Sequence, residues 1–142
     1  MKQALMALVV SFLATTTVFA NEITVVDAWV KPTIPGTENG AGYFQITNQG
    51  TQPVTLNGVS TEVSRASEVH QHVMTEDGMM RMRRVPELVI GSGETVTFQP
   101  GGYHVMFFGV KNPFKVGDSI EFQLQFADAD ALDVTAEVRA LH

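Results

Sequence analysis

The 142-residue sequence contains no cysteine. Disulfides are therefore unavailable as staples, and packing alone must hold the fold. The thiolate is removed as a nucleophile or metal ligand, and a lipid-modified cysteine is excluded as an anchor. Basic residues are also scarce, with nine Lys and Arg against fifteen Asp and Glu and a formal net charge of −6. The one basic cluster is Arg81 with Arg83 and Arg84, so neither nucleic acid nor an anionic membrane surface is an expected partner. Beyond residue 20 no segment sustains a helical period of about 3.6 residues. Catalytic signatures are missing as well. There is no Ser-His-Asp arrangement with supporting context and no phosphate-cradling glycine loop, so no enzyme is expected. Asp128, Asp130 and Asp133 lack the glycine and terminal glutamate of a calcium loop and read as solvated turn residues.

The single apolar run lies at the start, over residues 4–13 after Lys2, and leads to Val18-Phe19-Ala20 before Asn21-Glu22. This is the layout of a cleavable secretory signal with small residues at the cleavage point. Ser11 and Thr15-Thr16-Thr17 interrupt it, and it falls short of the roughly 20 residues a spanning helix needs. The expectation is a signal peptide over 1–20 and one soluble, periplasmic domain over 21–142, without a membrane anchor and monomeric. Removing Lys2 makes the net charge −7.

Alternation of apolar and polar residues fills the rest. Strands are expected over 23–30, 42–48, 54–59, 66–74, 79–85, 95–99, 104–110, 119–127 and 134–140. The clearest sets Phe122, Leu124 and Phe126 against Glu121, Gln123 and Gln125, the mark of a half-buried antiparallel strand. Turn residues punctuate the runs at Pro35-Gly36, Asp77-Gly78, Gly91-Ser92-Gly93 and Pro100-Gly101-Gly102. Short strands between frequent turns predict an all-β antiparallel sandwich. Trp29, with Ala28 and Val30 beside it, reads as a core anchor, and Tyr43 and Phe44 as core residues.

What the sequence has in excess is methionine and histidine in one window. Met74, Met79, Met80, Met82 and Met106 all fall between residues 74 and 106, nearly coincident with His70, His72 and His104. His104 and Met106 are two residues apart, which places both on one face of a strand. That pair begins a strand, near the end of a sandwich where loops leave room for a ligand. His70 and Met82 bracket a hairpin turned at Glu76-Asp77-Gly78, which brings their strands side by side. Single methionines are core filler, but Met79, Met80 and Met82 sit among arginines. Thioether sulfur favours Cu(I), imidazole accepts either copper oxidation state, and hard cations select carboxylates instead. Zinc prefers thiolate, imidazole or carboxylate. The chemistry thus points to copper, with Cu(I) preferred, and acid should weaken binding by protonating imidazole. His72 shares strand parity with His70, and Met80 with Met82, so the residues leave open which of each pair binds or whether both do. Met74 and Met79 read as peripheral.

The spacing His70, eleven residues, Met82, twenty-one residues, His104, one residue, Met106 resembles that of the periplasmic copper chaperone family PCu(A)C. Glu68-Val69-His70, Asp77-Gly78-Met79-Met80-Arg81-Met82-Arg83 and Pro100-Gly101-Gly102-Tyr103-His104-Val105-Met106 are similar to that family's segments, as are Asp27-Ala28-Trp29-Val30 and Ala41-Gly42-Tyr43-Phe44. The resemblance implies a cupredoxin-like β-sandwich of Greek-key type. It implies that His70, Met82, His104 and Met106 bind Cu(I) and that the ion passes to the copper centres of cytochrome c oxidase, with or without a Sco-type partner. The sequence departs from the family at Gln71, where some members carry Met, and in ending at Arg139-Ala140-Leu141-His142 without a His- and Met-rich tail. Without a cysteine, a blue-copper electron-transfer site has no thiolate. A copper-sequestering protein and a metal-free interaction module are the remaining alternatives.

Overall fold

The computed structural model describes residues 22–141, all in strands, turns and irregular segments. The expected signal peptide over 1–20 lies outside the described residues. Ten strands form: β1 (Ile23–Val30), β2 (Asn39–Asn48), β3 (Val54–Ser60), β4 (Ser64–Met74), β5 (Met80–Arg84), β6 (Leu88–Ile90), β7 (Thr95–Thr97), β8 (Tyr103–Val110), β9 (Ser119–Phe126) and β10 (Leu132–Val138). They join in the order β5-β4-β8-β2-β1-β10-β9-β3-β6, with β7 also pairing with β2. The all-β, cupredoxin-like expectation agrees with this architecture. One pair departs from the antiparallel pattern, because Trp29 and Val30 of β1 run parallel to Glu137 and Val138 of β10.

The sheet folds over so that its two wings face each other across aromatic side chains. Phe107 of β8 and Phe44 of β2 meet Phe122 of β9 at ring-centroid distances of 5.8 and 6.0 Å. Phe122, Leu124 and Phe126 are buried as their alternation predicts, joined by Ile120, Val134, Ala136 and Val138. Strand β1 pairs with β2 along its whole length, with an irregularity between Val26 and Trp29, just before it also takes β10 as a partner. Asp27, at φ 54°, lies in that bulge, where a non-glycine residue in the left-handed region signals a local constraint. Its carboxylate accepts a hydrogen bond from Arg139 Nη1 at 2.9 Å, just past the end of β10.

Three expectations need correction. Strand β6 follows Pro86 and Glu87 and is only three residues long with Val89 exposed, too short to show a period. β2 starts at Asn39, since Asn39–Gly42 pair with β8 and only Gln45–Thr47 with β7; two partners in succession need a longer strand than the apolar run marks. Trp29 packs against the core but is not the fully buried anchor expected. It is half-buried and rests on Tyr43 with ring centroids 4.6 Å apart.

For the site, what matters is the ribbon β5-β4-β8-β2 at one end of the sheet. Val69 pairs with Val105, and both are buried, as is Phe107. Alternation then sends His70, His104 and Met106 to the opposite face. Packing of the Phe114 ring against β2 depends on glycine: a Cβ on Gly40 would lie 2.8 Å from Cε2 of that buried ring. Gly40→Ala is expected to destabilise the protein by about 1–3 kcal/mol through overpacking. Urea denaturation checks this, with a lowered midpoint at an unchanged slope as the expected result.

Candidate metal centre

The register of three strands assembles the site. In β4 and β8, His70 pairs with His104 and Glu68 with Met106. In β4 and β5, His72 pairs with Met82, Met74 with Met80, and His70 with Arg84. Paired residues in an antiparallel ladder share a face, so His70, His72, His104, Met82 and Met106 all lie on the side of the ribbon away from Val105 and Phe107. The hairpin forms where expected. Its turn is fixed by Gly78 at φ 79° and by a Thr75 N–H that donates to the Met79 carbonyl at 2.8 Å. Asp77 accepts from the Thr75 hydroxyl, and that bond above all holds its carboxyl below the usual range.

The hairpin brings the strands of His70 and Met82 side by side, but the two residues are not directly opposed. Met82 faces His72, and His70 faces Arg84. The strand run alone does not fix this, because the position of the turn sets which residues are opposed. A five-residue connection over Thr75-Glu76-Asp77-Gly78-Met79 places Met74 against Met80, and every other pair follows.

The three imidazoles are close together and largely out of water. His104 is 2% exposed and the His70 side chain 13%. Ring centroids are 5.8 Å apart for His70 and His104 and 5.1 Å for His72 and His104. Tyr43 flanks His104 at 6.5 Å and Phe108 flanks His70 at 5.6 Å, so Trp29, Tyr43, His104 and His70 form a row across the sheet.

Protonation follows from the hydrogen bonds. A carboxylate can only accept, so the 2.8 Å contact between His70 Nε2 and Glu68 Oε2 places the His70 proton on Nε2 and leaves Nδ1 with a lone pair. His104 Nδ1 donates to the Gly102 carbonyl at 3.4 Å, which leaves Nε2 with a lone pair. His70 Nδ1, His72 Nδ1 and His104 Nε2 are all buried without a hydrogen-bond partner. Buried polar atoms are ordinarily satisfied, and three exceptions in neighbouring rings need an explanation.

Glu68 is part of this cluster, although the residue-by-residue reading did not single it out. Its carboxylate accepts the hydrogen bond from His70 Nε2 and lies 3.6 Å from Arg84 Nε, an arrangement that fixes a ring by one nitrogen and leaves the other free. The signal was present in the sequence, since Glu68 and His70 share strand parity. Among the described residues, no three His, Asp or Glu side chains are by themselves placed to hold a metal ion. The remaining donors on this face are thioethers. Met82 is 44% exposed, Met80 52% and Met74 70%, while Met106 is partly buried.

Residues 23–138 match the profile of the LpqE-like family ("Putative lipoprotein LpqE-like"). The chain belongs to this family. Among curated proteins, Lxx21020 of Leifsonia xyli subsp. xyli is 28% identical over 121 residues, covering 84% of this chain and 71% of the relative. RP573 of Rickettsia prowazekii is 31% identical over 105 residues, covering 71% of this chain and 56% of the relative. The solution structure of the CuI form of DR1885 from Deinococcus radiodurans aligns at TM-score 0.64 and 34% identity, over 79% of this chain and 74% of that one. Its apo form aligns at 0.65 and 30%, over 99% and 93%. The copper-bound PCuAC domain from PmoF2 aligns at 0.71, over 84% and 94%; at 23% identity this likeness concerns the fold. These LpqE-like and PCuAC relatives agree with the PCu(A)C resemblance drawn from the motif.

Burial pushes the His104 imidazole below its ordinary value of 6.5, and the nearby His72, His70 and Lys31 push the same way against a smaller opposing effect of the Gly102 carbonyl. The folded protein therefore resists a proton that the unfolded chain accepts near 6.5. Stability from neutral His104 is present above that pH and is lost as pH falls below it. Denaturant midpoints of the metal-free protein should decline as pH falls below 6.5, and the His104→Gln variant should show a shallower decline there. Equal slopes in the two proteins would contradict this assignment.

Proposed function

We propose that this LpqE-like protein binds one copper ion, preferentially Cu(I), through His70, Met82, His104 and Met106. It then carries the ion through the periplasm to the copper centres of cytochrome c oxidase, directly or with a Sco-type copper protein. The signal peptide over 1–20 and the exported domain over 21–142 belong to this reading. The observation that carries it is the set of buried, unpartnered imidazole nitrogens on one face with two thioethers. Copper fits that donor set, because soft sulfur and imidazole together select Cu(I) over hard cations. The CuI form of DR1885, at 34% identity, supports the choice of metal.

Binding needs little from the surroundings. The lone pairs on His70 Nδ1 and His104 Nε2 are already free, and burial keeps His104 neutral. All four ligands are uncharged, so the site carries the charge of the ion alone. The exposed side is formed by Met82, with Met80 and Met74 beyond it along the hairpin. Incoming ligands from an acceptor can reach the ion from that side before the histidines let go, which is the requirement for transfer by ligand exchange. Nothing in this scheme calls for catalysis of a covalent reaction.

Competition with a Cu(I) chelator tests binding, and mixing the loaded protein with an apo oxidase copper domain tests delivery. The expected outcome is one tightly held Cu(I), which moves to the acceptor. Met82→Ala should weaken retention, and Glu68→Ala, which removes the acceptor of the His70 Nε2 hydrogen bond, should weaken it about 10–100-fold by freeing the His70 ring. Tight binding without transfer would favour a sequestering protein. Failure to retain Cu(I) would leave a metal-free interaction module.

A further inference from the structure

His72 has no place in the spacing that selects His70, Met82, His104 and Met106, yet the fold puts it at the centre of the cluster. Resting on the copper-binding reading above, we propose that His72 is a third imidazole ligand of the same site, one that lets it hold Cu(II) as well as Cu(I).

Four observations converge on this residue. The first is its register: His72, not His70, faces Met82 across the hairpin. The second is ring separation. An imidazole centroid lies about 3 Å from an ion bound to one of its nitrogens, so two rings sharing an ion sit about 5–6 Å apart. The His72–His104 pair, at 5.1 Å, fits this as well as the His70–His104 pair at 5.8 Å. The third is satisfaction: His72 Nδ1 is buried without a partner. The fourth is the backbone. The His72 N–H donates to the Gly102 carbonyl at 3.3 Å, the same carbonyl that faces His104 Nδ1, so one oxygen fixes the two histidines relative to each other.

Ladder pairing of β4 with β8 ends at Gln71 and Tyr103, so His72 keeps one backbone hydrogen bond on that side, to Gly102, and pairs fully with β5 on the other. As the three imidazoles stand they do not form a ready three-nitrogen site; His72 joins by rotating its side chain at the point where β8 ends. Oxidation state then selects the donors. Cu(I) favours the thioethers, whereas Cu(II) favours imidazole nitrogen, and His72 supplies a third nitrogen beside Met82. Only the ligand set changes, and no redox step of the protein is implied.

Pulsed and continuous-wave EPR of the Cu(II)-loaded protein tests the proposal, alongside Cu(I) and Cu(II) affinities measured by chelator competition. Three coupled imidazole nitrogens are expected in the wild type and two in His72→Gln. His72→Gln should lower Cu(II) affinity at least about tenfold more than Cu(I) affinity. His72→Met, which restores a soft donor, should shift the affinity ratio further towards Cu(I). An unchanged nitrogen count together with an unchanged affinity ratio in both variants would overturn the role of His72. So would a wild type that retains Cu(I) but leaves Cu(II) in solution. A wild type that retains neither ion would instead remove the copper reading on which the proposal rests.

Discussion

The pairing of Val69 with Val105 across β4 and β8 is the contact on which the site depends. Both side chains are buried in the shared core with Phe107, and their burial fixes the register of two strands at once. Because side chains alternate, the residues between them have no choice of face. A slip of one residue would push His70 and His104 into the apolar interior and bring the valines out. The hydrophobic effect thus places the polar cluster without acting on it directly. Gly40 and Gly42 let β2 close against the same strands, with Phe107 and Phe114 filling the space their side chains would take.

On this scaffold the donors are divided by exposure. The imidazoles are sheltered by Tyr43, Phe108 and the neighbouring strands, whereas the thioethers of the hairpin face water. Sheltering keeps His104 neutral and holds its lone pair ready. Exposure of methionine costs little in solubility here because Arg81 and Arg83 alternate with Met80 and Met82 along β5. A site with one fixed side and one accessible side suits an ion that must be held and later surrendered. It suits an electron-transfer centre poorly, and the chain has no cysteine for one.

Much of this was legible in the sequence, for identifiable reasons. Strands with strict alternation, such as β9 and β10, announce their buried faces. The crowding of methionine and histidine marks the site, and Asp77-Gly78 marks the hairpin beside it. What could not be read was relative placement. Whether Met82 faces His70 or His72 depends on the length of the turn, and periodicity within one strand does not carry that information. Trp29 reads as a fully buried anchor because it lies beside Val30, yet it sits only partly buried at the border of the core, resting on the buried Tyr43. The role of Glu68 emerges only once its carboxylate is seen against both His70 and Arg84.

The central claim is a mixed nitrogen and sulfur site on one face of β4, β5 and β8. X-ray absorption at the copper edge of the Cu(I)-loaded protein tests it most directly, since sulfur and nitrogen scatterers are distinguished by their distances, about 2.3 and 2.0 Å in comparable sites. Sulfur and nitrogen in near-equal numbers, with the sulfur contribution falling in Met82→Ala, is the result expected. Coordination by nitrogen alone would contradict the account.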